Sequence, residues 1–232
     1  MNIANCSDGD ATAYPHGLHK QFMSGSDASE CKPRQMELTM SNHYTQPSIV
    51  SRIGYQLLYD PLRAGYLRRL VAFFGLVGNE HVLDFGSGAG SEAIYLARAV
   101  ARGGRVTCLD VSAAWLAEAK RRLHSFRNVD FALGEATQVP LEPATYDLVL
   151  AHYVLHDVDR TGLPDVLAAL ARCLKSDGRF VVIEPVGSHH GLSGNELVGL
   201  MAPSGLVEVG REVIQPPFGT AVRMVFRRQE TA

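Results

Sequence analysis

The chain has 232 residues, is 46% hydrophobic and 20% charged, and carries a net charge of −2 at pH 7. That size and apolar content support one sizeable α/β core with an appendage. The charge gives no basic footprint for nucleic acid, no apolar run reaches the roughly 18 residues of a membrane span, and a start holding Asp8 and Asp10 is no signal peptide. A cytoplasmic protein with a small-molecule partner is the expectation.

Residues 1–40 form a polar leader rich in Ser, Asp, Gly, Asn and Lys, a composition too poor in apolar side chains to offset the entropy of ordering. Cys6 and Cys31 lie here with His16 and His19 between them, without the close paired spacing of a zinc site, so no metal is expected. Residues 41–79 read as an N-terminal helical cap. Ile49, Val50, Ile53, Leu57 and Leu58 share one face before Asp60-Pro61 interrupts it. Tyr66, Leu67, Leu70, Val71 and Phe74 then share a second, which ends at Gly75 and Gly78.

From residue 80 to 232 strands and helices alternate, which predicts a doubly wound, Rossmann-like, mostly parallel sheet. Val82 to Phe85 reads as a buried strand that breaks into the turn Gly86-Ser87-Gly88-Ala89-Gly90 and then a helix. Glycines there allow backbone angles and close approach that a Cβ forbids, and the helix start offers N–H groups to an anion. A second strand, Arg105 to Asp110, ends in a carboxylate about 20 residues past the glycine turn, where a βαβ unit places an acid for ribose hydroxyls. Ser112 is a good N-cap for the helix that follows. Val129, Phe131 and Leu133 alternate in a third strand before Gly134-Glu135-Ala136, and Tyr146 to Ala151 makes a fourth that runs into His152 and His156-Asp157. A helix bearing Leu163, Val166, Leu167 and Leu170 leads to a fifth strand, Arg179 to Glu184, and two strands near 207–214 and 221–226 close the sheet as an antiparallel hairpin. Cys108 and Cys173 read as buried small hydrophobes.

The ordered motifs from Val82 to Glu184 resemble the class I S-adenosylmethionine-dependent methyltransferases, nearest to the small-molecule branch of ubiquinone and menaquinone C-methyltransferases. Asp84 to Gly90 is similar to the family's acid-x-Gly-x-Gly-x-Gly element, and Asp110 to its ribose acid. Glu135-Ala136 stands where the family usually has an Asp and a small residue beside the adenine. Leu174 to Gly178 stands where it has Leu-Lys-Pro-Gly-Gly, with Ser176-Asp177 in place of Pro-Gly. The resemblance implies S-adenosylmethionine as cofactor, with Asp84, Phe85, Gly86, Ser87, Gly88, Asp110, Val111, Glu135, Ala136 and His152 around it.

Methyl transfer from a sulfonium asks chiefly for alignment and exclusion of water. Catalytic candidates are therefore few: His152 and His156 at the carboxyl edge of the fourth strand, either able to take a proton from an acceptor, and Glu184 at the end of the fifth, facing the same rim. Two other readings stay open. A nicotinamide-dependent oxidoreductase also uses a glycine turn and a ribose acid, though no Tyr here precedes a Lys by four residues as in short-chain dehydrogenases. A non-catalytic cofactor-binding module with the same fold needs no further side chain at all.

Overall fold

A computed structural model describes residues 60–186, 191–217 and 219–229. The polar leader and the first apolar face of the cap, Ile49 to Leu58, lie outside the described residues.

Helix α1 (Asp60–Phe73) carries the second apolar face of the cap, and Tyr66, Leu67, Leu70, Val71 and Phe74 are all buried. Pro61 sits in its first turn, where a missing N–H costs nothing, so Asp60-Pro61 opens this helix. The core then runs β1 (His81–Phe85), α2 (Ala93–Ala99), β2 (Arg105–Asp110), α3 (Ala113–Arg122), β3 (Val129–Leu133), β4 (Tyr146–His152), α4 (Leu163–Cys173), β5 (Leu174–Pro185), α5 (Gly194–Met201), β6 (Leu206–Ile214) and β7 (Ala221–Arg228). Ser112 caps α3 as its sequence implies, its Oγ accepting from Trp115 N at 3.3 Å.

The seven strands form one sheet in the order β3-β2-β1-β4-β5-β7-β6. β1 to β5 are mutually parallel, and β7 is antiparallel to both β5 and β6. The doubly wound sheet with a closing hairpin is therefore the architecture found. β5 begins earlier than its sequence suggests: Tyr146 pairs with Leu174 across an irregularity in β4, which draws residues 174–178 into the strand instead of leaving them as a turn.

Because successive side chains of a strand face opposite ways, the central strands feed two cores. Leu83, Phe85, Val149, Ala151 and Val182 pack with Leu163, Leu167 and Leu170 of α4 and with Leu197 of α5. Val82, Val106, Cys108, Leu148, Leu150 and Ile183 pack with α1, α2 and α3. Both described cysteines, Cys108 and Cys173, are buried and free. The strand order reverses between β1 and β4, and the crevice beyond their carboxyl ends is where such sheets bind ligands.

Candidate active site

The glycine turn after β1 is pinned to β2. Gly86 N and Ser87 N both donate to Leu109 O, at 2.8 and 3.2 Å, and Gly90 N closes back onto Ser87 O at 2.9 Å. Gly86 and Gly88 have φ of +72° and +52°, in the left-handed region. Their surroundings differ. A Cβ on Gly86 would lie 2.3 Å from Val154 Cγ2, whereas one on Gly88 would meet no atom within 4 Å. Gly86 is required by packing, and Gly88 borders open space above the turn.

Asp110 sits beneath that space with both carboxylate oxygens oriented by backbone: Gly88 N donates to Oδ2 and Ser112 N to Oδ1, each at 2.8 Å. Burial raises its pKa, and the Ser112, Gly88 and Val111 N–H groups work against that shift. Fixed in this way, the carboxylate is an acceptor-only group at the strand end, the kind of group that ribose hydroxyls donate to. Asp84 is 2% exposed, and among the described residues neither its Oδ2 nor Ser87 Oγ has a hydrogen-bond partner. Burial, then the charges of Glu92 and Asp110, push the Asp84 carboxyl well above its ordinary range. A buried acid and a buried hydroxyl left unpaired beside an open glycine turn fit a polar, cationic ligand that satisfies them. Phe85 belongs to the core, and Gly134 N donates to Asp110 O at 3.0 Å, which brings Glu135 and the buried Ala136 beside the end of β2. Glu135 is half-buried, with Oε2 accepting from Gln138 at 3.1 Å.

The end of β4 is built differently. Glu184 does not face the rim. It is fully buried under the residues after β4, where Oε1 accepts from Leu155 N at 2.9 Å and Val154 N at 3.3 Å while Oε2 lies 2.6 Å from His156 Nδ1. A carboxylate with no water must find donors, and this strand end offers two N–H groups and an imidazole. His156 keeps a partly exposed side chain, its Nε2 lying 3.7 Å from Asp157 Oδ1. Burial alone would lower the His156 pKa, but the hydrogen bond and charge of Glu184, then the charge of Asp157, bring it out above the ordinary imidazole value.

His152 has a polar neighbour at each nitrogen: Nδ1 lies 2.8 Å from Glu92 Oε1, in ion-pair contact but not aligned as a hydrogen bond, and Nε2 lies 3.3 Å from the Tyr66 hydroxyl. Glu92 also accepts from Arg63 at 2.8 Å. Burial would raise Glu92, but the Arg63 guanidinium and then His152 hold it down at about 2. Sequence reasoning brought His152, His156 and Glu184 to one edge but missed Arg63, Tyr66 and Glu92. Their signal was faint: polar residues inside a helix face otherwise read as apolar, and an acid directly after the glycine turn.

Residues 82–178 match the family described as "Methyltransferase domain". The chain is 31% identical over 134 residues to a 2-phytyl-1,4-naphtoquinone methyltransferase of Thermosynechococcus vestitus, an alignment covering 56% of this chain and 59% of that protein. The chain thus spans less than two thirds of the length of that curated relative. In fold it is similar to a SAM-dependent methyltransferase from Aquifex aeolicus, with TM-score 0.65 and 22% identity over 75% of this chain and 97% of that one. It is also similar to the [4+2]-cyclase SpnF, with TM-score 0.60 and 19% identity over 71% of this chain and 80% of that one.

Proposed function

We propose, from the methyltransferase-domain match over residues 82–178 and the shared fold, that the chain is a cytoplasmic S-adenosylmethionine-dependent methyltransferase acting on a small organic acceptor that loses a proton. The observation that carries the cofactor half is the empty-sided Gly88 turn, flanked by the doubly oriented carboxylate of Asp110 and the unpaired Asp84 Oδ2 and Ser87 Oγ. Bound S-adenosylmethionine supplies a methyl group made electrophilic by its sulfonium. Asp110 holds the two ribose hydroxyls, Asp84 and Ser87 receive the amino-acid end through its ammonium, and Glu135, Ala136 and Val111 border the base.

On the acceptor side, His156 is the base. Glu184 fixes its Nδ1, so the ring presents Nε2, and the raised pKa makes it a stronger proton acceptor once deprotonated. Glu184 acts through His156 and as an anchor for the chain after β4. His152, buried with Glu92 against Nδ1 and the Tyr66 hydroxyl on Nε2, is left out of the proton transfer. The net charge of −2 supplies no overall basic footprint for nucleic acid, and no helix among the described residues is long and apolar enough to cross a membrane.

Calorimetry separates the cofactor assignments. S-Adenosylmethionine should bind the wild-type chain with Asp110→Ala losing that binding, and NAD should not bind. Tight NAD binding with no response to S-adenosylmethionine would turn the assignment to an oxidoreductase.

A further inference from the structure

Asp60, Arg63 and Tyr66 recur every third residue on α1, and each reaches a residue beside the glycine turn or the end of β4. Asp60 Oδ1 accepts from Ser91 Oγ at 2.7 Å, and its other oxygen from Arg122, which also donates to Ala89 O at 2.9 Å. Arg63 holds Glu92, Glu92 holds His152, and His152 holds Tyr66. Arg63, Glu92 and His152 are each 8% exposed.

Each link dictates the next. An ionised Glu92 only accepts, and its Oε1 lies 2.8 Å from His152 Nδ1, so its charge favours hydrogen on that nitrogen. In the neutral ring Nε2 is then an acceptor, and Tyr66 must donate its O–H there. The residue after His152, Tyr153, stands at φ +56°, a conformation an aromatic residue adopts only when its surroundings impose it, and its ring lies 4.6 Å from the imidazole. From Tyr153 the chain passes directly into the turn that carries His156.

We propose that Arg63, Glu92 and Tyr66 are positioning residues that hold His152 as its Nδ1–H tautomer and, through the Tyr153 ring tilted against it, set the segment that presents His156 to the acceptor. The cap helix thereby shapes the reaction edge without touching the reacting atoms. The turnover half of the proposal rests on the methyltransferase reading, and the tautomer half does not. A network that served packing alone would be replaceable by apolar side chains of similar volume, since buried ion pairs often are.

The test combines long-range nitrogen–proton NMR of the His152 ring with steady-state kinetics, on the full chain. The wild type should show Nδ1–H. Arg63→Met combined with Glu92→Gln, which removes the donor that demands an oxygen at this position and lets the amide donate to Nδ1, should shift the ring toward Nε2–H and lower kcat at least tenfold, with S-adenosylmethionine affinity changed less than threefold. Arg63→Met combined with Glu92→Leu should keep the melting temperature near that of wild type yet lose the same turnover. Tyr66→Phe covers the case in which the Glu92 variants do not fold: it should move the Nε2 nitrogen shift and lower kcat about threefold. An Nε2–H wild-type ring, or no change of shift in both the Arg63→Met, Glu92→Gln double variant and Tyr66→Phe, overturns the relay. A changed tautomer with unchanged kcat overturns the positioning role while leaving the methyltransferase reading intact. Absence of methyl transfer by the wild type overturns that reading, and the NMR result still decides the relay.

Discussion

The two halves of the carboxyl edge are made of different materials. At β1 and β2 the candidate cofactor site is mostly backbone: a glycine turn hung from Leu109 O, with Asp110 oriented by Gly88 and Ser112 N–H groups. At β4 and β5 it is side chains gripping side chains, with Glu184 on His156 and Glu92 on His152. Backbone geometry tolerates many ligands but fixes their place. Paired side chains fix a protonation state. A methyl donor needs the first and a proton-losing acceptor the second, so substitutions should act differently in the two halves.

The largest effect belongs to the side-chain half. His156→Ala should lower turnover by about 10²- to 10⁴-fold, the usual worth of a general base, with cofactor affinity nearly unchanged. Measuring kcat and S-adenosylmethionine affinity on one preparation checks this, and a parallel loss of both would erase the contrast. On the backbone half, Asp110→Ala removes charge-assisted bonds to two hydroxyls. Cofactor affinity should fall by about 2–4 kcal/mol, roughly 30- to 900-fold, while the fold persists. Calorimetry and a melting curve read both numbers.

The pH profile sharpens the difference. With the His156 pKa raised above its ordinary 6.5, turnover should climb as pH rises through that raised value, because only the neutral ring accepts a proton. Glu184→Gln leaves burial as the dominant influence and should move that limb to lower pH. The same shift links to stability: the His156–Glu184 pair contributes fully below about pH 6.5 and its contribution is lost as pH rises through the raised pKa, so Glu184→Gln should flatten the melting temperature between those values. An unmoved limb would assign the titration to another group.

The smallest effects separate two glycines of one turn. Gly86→Ala combines left-handed strain with a 2.3 Å approach to Val154 and should cost about 2–5 kcal/mol of stability. Gly88→Ala carries only the strain, about 1–2 kcal/mol, but puts a methyl group into the open side and should weaken cofactor binding at least tenfold. Equal binding losses after correction for unfolding would mean the open side is not the cofactor's place.

The contrast also explains what the sequence could reveal. Gly86, Gly88 and Asp110 were legible because a βαβ unit sets their spacing locally, and the antiparallel closing strands because apolar alternation and a Pro-Gly turn mark them. The partners of the histidines were not. His156 and Glu184 are 28 residues apart, and Tyr66 and His152 are 86 apart. Nothing local in either segment specifies such a pairing, which is set by strand order and by where α1 lies on the sheet. Glu184 was read as a rim group because a strand-end acid usually is one; the N–H groups of Val154 and Leu155 drew it inward instead.

Transfer of an isotopically labelled methyl group bears most directly on the central claim. The full chain would be incubated with methyl-labelled S-adenosylmethionine and a panel of phenols, hydroxyquinones, amines and thiols, and read by mass spectrometry for labelled product and S-adenosylhomocysteine. The account predicts label on an acceptor that gives up a proton, at least a hundredfold less of it with His156→Ala, and both products in equal amount. Tight cofactor binding with no labelled product from any acceptor class would contradict it and leave a cofactor-binding module on a methyltransferase fold.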